Sequence, residues 1–154
     1  MIDPASKFPI ESELVEILVP EFKEIDKLFR EESFDIVLKR VLSLYERWPD
    51  HPAIGYRLIS AYRATRNPLL AKKHILLLRA GGIPSGKTSS ILSQSLFHCF
   101  LELGDLDSAE LEARQHFSQN PDGHPPYMRA YEELLRLRDN WTDEEIQRKI
   151  LASK

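Results

Sequence analysis

Acidic side chains are missing from residues 51–101, a third of a chain that otherwise carries 24 of them. Within 51–87 seven basic residues stand without an acid among them, while 1–50 and 88–154 each hold seven basic and twelve acidic residues. The net charge of −3 therefore conceals a basic band between two acidic ends. Two readings are open here: the band faces an anionic partner, or the ends neutralise it within the chain.

Other scarcities narrow the class. The single cysteine, Cys99, excludes an intrachain disulfide and weakly favours a reducing compartment. The longest apolar run, Ile75 to Leu78, is far too short to span a bilayer, so no membrane insertion is expected. Residues 1–4 show no basic flank leading into an apolar core, so no signal peptide is expected and the cytoplasm is the default location. No segment alternates with period two for long enough to make a strand. With 42% apolar and 29% charged residues, the 154-residue chain reads as one ordinary globular domain.

What is abundant is helical periodicity. Leu14, Leu18, Phe22, Ile25 and Phe29 recur at spacings of three and four, with Pro20 expected to break or kink the run between an N-terminal helix over 10–19 and the next. Phe34, Val37, Val41, Leu44 and Trp48 follow after Ser33, an expected N-cap. Leu58 and Tyr62 lie on a helix stopped at Asn67-Pro68, and Ala71, Ile75 and Leu78 on one ending at Gly81-Gly82. Leu92, Leu96, Phe100 and Leu103 precede Gly104-Asp105, and Asp107 with Glu110 reads as a capping box for the helix through Ala109 and Ala113. Tyr127, Tyr131, Leu134 and Leu135 mark another helix, and Thr142 with Glu145 caps a last one. The fold class is all-α, with eight or nine helices and short loops.

Three stretches repeat one plan: a small or apolar residue mid-helix, an amphipathic run, then a proline. They are Val37 to Pro49, Ala71 to Pro84 and Ala109 to Pro121, whose first residues stand 34 and 38 apart. A period in the mid-thirties made of two short helices points to a helical-repeat array, a surface for holding other proteins.

These residues resemble the tetratricopeptide repeat family. Its pattern of a leucine and a tyrosine one turn apart, a small residue at the helix crossing and a closing proline is matched by Leu58, Tyr62, Ala71 and Pro84. The next unit has Leu96, Phe100 in place of tyrosine, Ala109 and Pro121; the first keeps Leu28 and Pro49 but has Val37 where alanine is usual. The resemblance implies an α-solenoid with repeats near 18–49, 51–84 and 90–121, an N-terminal cap and a C-terminal helical pair at 124–152. It also implies that the first helix of each unit lines a concave groove.

The residues placed there are Phe22, Asp26, Phe29 and Arg30, then Tyr56, Arg57, Ser60 and Arg63, then Ile91, Gln94, Ser95 and His98. Phe22, Phe29, Tyr56, Arg57, Ser60, Arg63, Gln94 and His98 are the expected partner contacts, with rings as anchors and arginines pairing to carboxylates. Phe22 and Phe29 have a second reading, in which they hold the 10–19 helix inside the groove. Exchange of Arg57 and Arg63 for glutamate is expected to abolish capture and leave the melting temperature nearly unchanged. The lysine-rich clamp of repeat proteins that bind acidic chaperone tails is not matched, since Asp26, Ile91 and Ser95 stand in its places.

One segment competes. Residues 81–88, Gly-Gly-Ile-Pro-Ser-Gly-Lys-Thr, fit the phosphate-binding pattern G-x-x-x-x-G-K-[ST]. Such a loop needs a preceding buried strand, whereas Ala71, Ile75 and Leu78 have helical spacing. His98 and Cys99 have no second pair at metal-ligand spacing, and no constellation points to an enzyme, a metal or a cofactor. The expected function is non-catalytic: an adaptor, scaffold or chaperone binding an acidic or amphipathic segment of a protein. The alternatives are nucleic-acid binding through the basic band 57–87, which the acidic net charge disfavours, and nucleotide binding at 81–88. Self-association through an exposed repeat end is a further expectation.

Overall fold

The computed structural model describes residues 10, 12–81 and 87–152, and Pro84 with the rest of 82–86 lies outside them. Among the described residues the chain is all-α, with eight helices and no strand. They are α1 (Val15–Arg30), α2 (Phe34–Arg47), α3 (Pro52–Ala64), α4 (Pro68–Ala80), α5 (Lys87–Glu102), α6 (Leu106–Gln119), α7 (Pro125–Asn140) and α8 (Asp143–Ala152). They fall into two compact units, one within 1–82 and one within 83–154.

In the first unit α1 packs on α2, α2 on α3 and α3 on α4. Helix α3 is its centre. Pro52 occupies the first turn, where its missing N–H is not needed, and the His51 ring accepts a hydrogen bond from the Ala53 amide at 3.2 Å. Ala53, Ile54, Leu58, Ile59, Ala61 and Tyr62 are all buried, so α3 is covered around most of its circumference. Gly55 lets α4 approach, because a Cβ there would meet Leu78 Cδ2 at 3.1 Å.

Helix α1 corrects one expectation. It runs through Pro20 without interruption, so residues 15–19 belong to the same helix as Phe22 and Phe29 and are not a separate segment laid into a groove. Pro20 is exposed, where water can serve the carbonyl whose hydrogen bond it cannot donate. Burial of Leu18, Phe22 and Ile25 on the opposite face holds the turns together.

The α1–α2, α3–α4 and α5–α6 connections share one geometry. Each has a residue in the left-handed region: Glu32 (φ 61°), Arg66 (φ 62°) and Gly104 (φ 80°). In each, the next amide reaches back five residues, Ser33 to Leu28 O, Asn67 to Tyr62 O and Asp105 to Phe100 O. Five residues after each left-handed residue stand Val37, Ala71 and Ala109, each fully buried. The chain thus makes the same helix stop at the same 34- and 38-residue steps that separate the small residues.

The second unit packs α5 on α6, α6 on α7 and α7 on α8, and α8 also returns onto α5. There Gln147 Nε2 donates to the Glu102 carbonyl at 3.0 Å. The core gathers Phe97, Leu101, Leu106, Ala109, Ala113, Phe117, Tyr127, Leu134, Leu137 and Ile146. Tyr127 sits among the rings of Phe97, His116 and Phe117, and its hydroxyl is 2.8 Å from Ser93 Oγ, which donates to Glu112 Oε2 at 2.6 Å. Ser93, Glu112 and Tyr127, one from each of α5, α6 and α7, thereby satisfy one another.

The N-cap of α6 is Asp105, not the expected Asp107: the Asp105 carboxylate accepts from the Ser108 amide at 3.2 Å and the Ser108 hydroxyl at 2.7 Å. Asp107, two residues past the N-cap and already inside the first turn, pairs with Arg138 of α7 at 2.6 Å. The expected cap at Thr142 forms, with Oγ1 accepting from the Glu145 amide at 3.3 Å.

Candidate functional site

The sequence places Asp26 in the C-terminal half of α1 and Arg57 on the second turn of α3, and packing brings them together. Arg57 Nε donates to Asp26 Oδ1 at 3.1 Å and Nη2 to Oδ2 at 3.0 Å, a two-point contact between planar groups. The guanidinium also lies on the Phe22 ring, 3.9 Å from its centroid, and Nη1 donates to the Ala53 carbonyl at 3.4 Å. The Arg57 side chain is only 5% exposed and that of Asp26 31%. This is an internal ion pair that ties α1 to α3.

Above the pair lies a recess of about 310 Å³ lined by Ile25, Asp26, Phe29, Arg30, Tyr56, Arg57 and Ser60. Its wall is mostly carbon. Phe29 is set by an edge-on contact with Phe34 of α2, centroids 5.2 Å apart, and Ser60 Oγ donates to the Tyr56 carbonyl at 3.3 Å, turning the hydroxyl back to its own helix. Arg30 is exposed at the rim. Lys23, Lys27 and Arg30 succeed one another along α1 with Glu24 among them, and a second depression over that face shares Asp26 and Arg30 with the first. The recess is therefore apolar inside and cationic along one edge.

Of the residues singled out from sequence, Phe29, Tyr56, Arg57 and Ser60 line this one recess. Phe22 is buried beneath it, its face under Arg57 and its edge toward His51 at 6.4 Å. Arg63 is half-buried on the last turn of α3 and does not line the recess. Gln94 and His98 are half-buried on α5, in the second unit. Burial of Arg57 overturns the expectation that glutamate at 57 and 63 would spare the fold, since it would set a carboxylate against Asp26 in a largely closed site. Ile25 and the Asp26 partnership were missed. A contact across 31 residues between two helices leaves no periodic signal.

The competing segment lacks its required setting. Residues 74–79 lie within α4, a helix where a phosphate-binding loop needs a strand, and 82–86 lie outside the described residues. The basic band is also not one surface: Arg57 is buried against Asp26, while Arg66, Lys73 and Arg79 are exposed. Among the described residues no helix is long and apolar enough to cross a membrane.

His74 of α4 has a special environment. Its ring meets Tyr45 of α2 edge-on at 5.3 Å and stacks on Tyr62 of α3 at 5.5 Å. Burial, and then the neighbouring charge of Lys73, hold its pKa below the ordinary imidazole value. It is a packing residue kept neutral.

Compared with known proteins, the chain matches no family model, no curated protein and no solved structure.

Proposed function

We propose that the chain is a non-catalytic protein-interaction module, an adaptor, scaffold or chaperone built of tetratricopeptide-like helix pairs, which takes a segment of a partner protein into the recess between α1 and α3. The observation that carries this reading is the recess itself, with Ile25, Phe29 and Tyr56 inside and Arg30 at its edge. The identical helix stops at Glu32, Arg66 and Gly104 support the repeat reading.

The chemistry of the site prescribes the segment: one bulky apolar side chain as anchor, followed by carboxylates that meet Arg30, Lys27 and Lys23. Burying such an anchor contributes about 1.5–3 kcal/mol. Flanking contacts at a partly exposed rim add less and association itself costs free energy, so a single linear segment binds weakly, no tighter than the micromolar range of roughly −8 kcal/mol. Nucleic acid is the weaker reading, because Arg57, the residue of the basic band next to Tyr56 in the chain, is already neutralised by Asp26.

The test is selection from a random peptide display library on the wild-type protein and, in parallel, on the Phe29→Ala/Tyr56→Ala variant. The proposal expects wild-type enrichment of peptides with an aromatic or leucine anchor beside acidic residues, and loss of that class on the variant. Enrichment unchanged on the variant removes the site from the recess. An oligonucleotide that displaces the enriched peptides stoichiometrically replaces this reading with the nucleic-acid one.

A further inference from the structure

We propose that the outward face of α4 is a second docking surface, made for an acidic amphipathic helix of a partner protein. Helix α4 is apolar on two faces. Ala71 and Ile75 are fully buried against the first unit, while Leu69, Leu70, Leu76 and Leu77 are exposed by 61, 40, 46 and 52%. A helix that is apolar on both sides is built to be covered on both sides, and four clustered leucines in water mark an interaction surface.

The pattern of the four selects the shape of the partner. Leu69 and Leu76, and Leu70 and Leu77, are each two turns apart, so they form two short ridges with Lys73 between them and Lys72 at the margin. Ridges at that spacing receive the side chains of another helix packed alongside.

Charge selects its composition. Residues 51–101 contain no carboxylate, so every charged side chain α3 and α4 contribute is basic. A helix with leucines facing the stripe and glutamates or aspartates flanking it sets its carboxylates beside Lys73 while covering the leucines; a basic helix is repelled. Two copies of α4 placed face to face would oppose lysine to lysine. An anionic lipid surface is a poorer occupant, because the stripe holds no tryptophan or tyrosine to seat in an interface.

The probe is a fluorescein-labelled synthetic helix with leucines at i, i+3, i+4 and i+7 and glutamates flanking them, beside a twin carrying lysines in place of the glutamates. Anisotropy titration is expected to show the acidic helix binding at least about tenfold more tightly than its twin. Amide and methyl spectra should place it on Leu69, Leu70, Leu76 and Leu77. Lys72→Glu/Lys73→Glu should reverse the preference, and Leu69→Gln/Leu77→Gln should abolish binding. Both variants alter surface positions, and an unchanged melting temperature confirms the fold. Equal binding of the two peptides, or contacts confined to the α1–α3 recess, overturns the proposal. A dimer in sedimentation that Leu77→Gln dissociates overturns it in favour of a second copy of the chain. Flotation with phosphatidylserine vesicles that Lys73→Glu abolishes overturns it in favour of a membrane surface.

Discussion

Removing Asp26 should damage the protein more than removing Arg57, although they are partners in one ion pair. Asp26→Ala leaves a guanidinium that is 5% exposed without its carboxylate. Breaking a buried pair from one side costs about 3–5 kcal/mol, and the Ala53 carbonyl and the Phe22 ring remain to hold the cation, so we expect about 2–3 kcal/mol. Arg57→Met keeps the volume and removes the charge. The carboxylate left behind is nearly a third exposed and can hydrate, so the loss is the cation–π contact and the hydrogen bonds, about 1–2 kcal/mol. The double variant should cost about as much as Arg57→Met alone, because no stranded charge remains. Urea unfolding with a common slope reads these differences, and thermal melts should show the Asp26→Ala midpoint lowered by about 5–10 °C. Equal costs for the single variants, or costs that simply add, would refute the claim that a buried charge governs this contact.

Two further predictions concern the turns and the protonation of α4. Glu32→Gly and Arg66→Gly should each stabilise by roughly 0.5–1 kcal/mol, since both residues hold positive φ without being glycine, whereas Gly104→Ala should destabilise by about 1 kcal/mol; chemical denaturation measures all three. Because the folded pKa of His74 lies below its unfolded value, the unfolded chain binds the proton more readily, and stability must fall as pH drops below the ordinary imidazole range. Melts between pH 7.5 and 5 should show that loss in the wild type and less of it in His74→Phe; an equal loss in both would acquit His74.

The parts of the fold legible in the sequence are those written locally. Leu58, Ala71, Leu96 and Ala109 lie on helical periods, and all are buried as that periodicity requires. Proline at the first turn of α3 and α4 marks where those helices begin. Two of the three like turns were hidden because glutamate and arginine occupy a conformation that only Gly104 advertises. Asp105 and Asp107 offer the same capping signal within one turn, and only the hydrogen bond to Ser108 distinguishes them. Pro20 alone signals a helix end, whereas burial of Leu18, Phe22 and Ile25 on the far face outweighs one missing bond.

At the site the rule is the same. The resemblance to helical repeats put Phe29, Tyr56 and Ser60 on a groove, and all three line one recess. The state of Arg57 was beyond reach, because whether an arginine is offered to a partner or spent on a carboxylate depends on which helix packs beside it. The same holds for the leucines of α4: period alone calls them apolar, and only packing reveals that four remain uncovered.

The central claim, that the α1–α3 recess receives a partner segment, is tested most directly by mapping an enriched peptide onto the protein through chemical-shift changes, with Arg30→Glu/Tyr56→Ala as control. The account predicts shifts concentrated at Ile25, Phe29, Arg30, Tyr56 and Ser60, and at least about tenfold weaker binding by the control with its fold intact. Shifts centred on the second unit, or full affinity in the control, would contradict it.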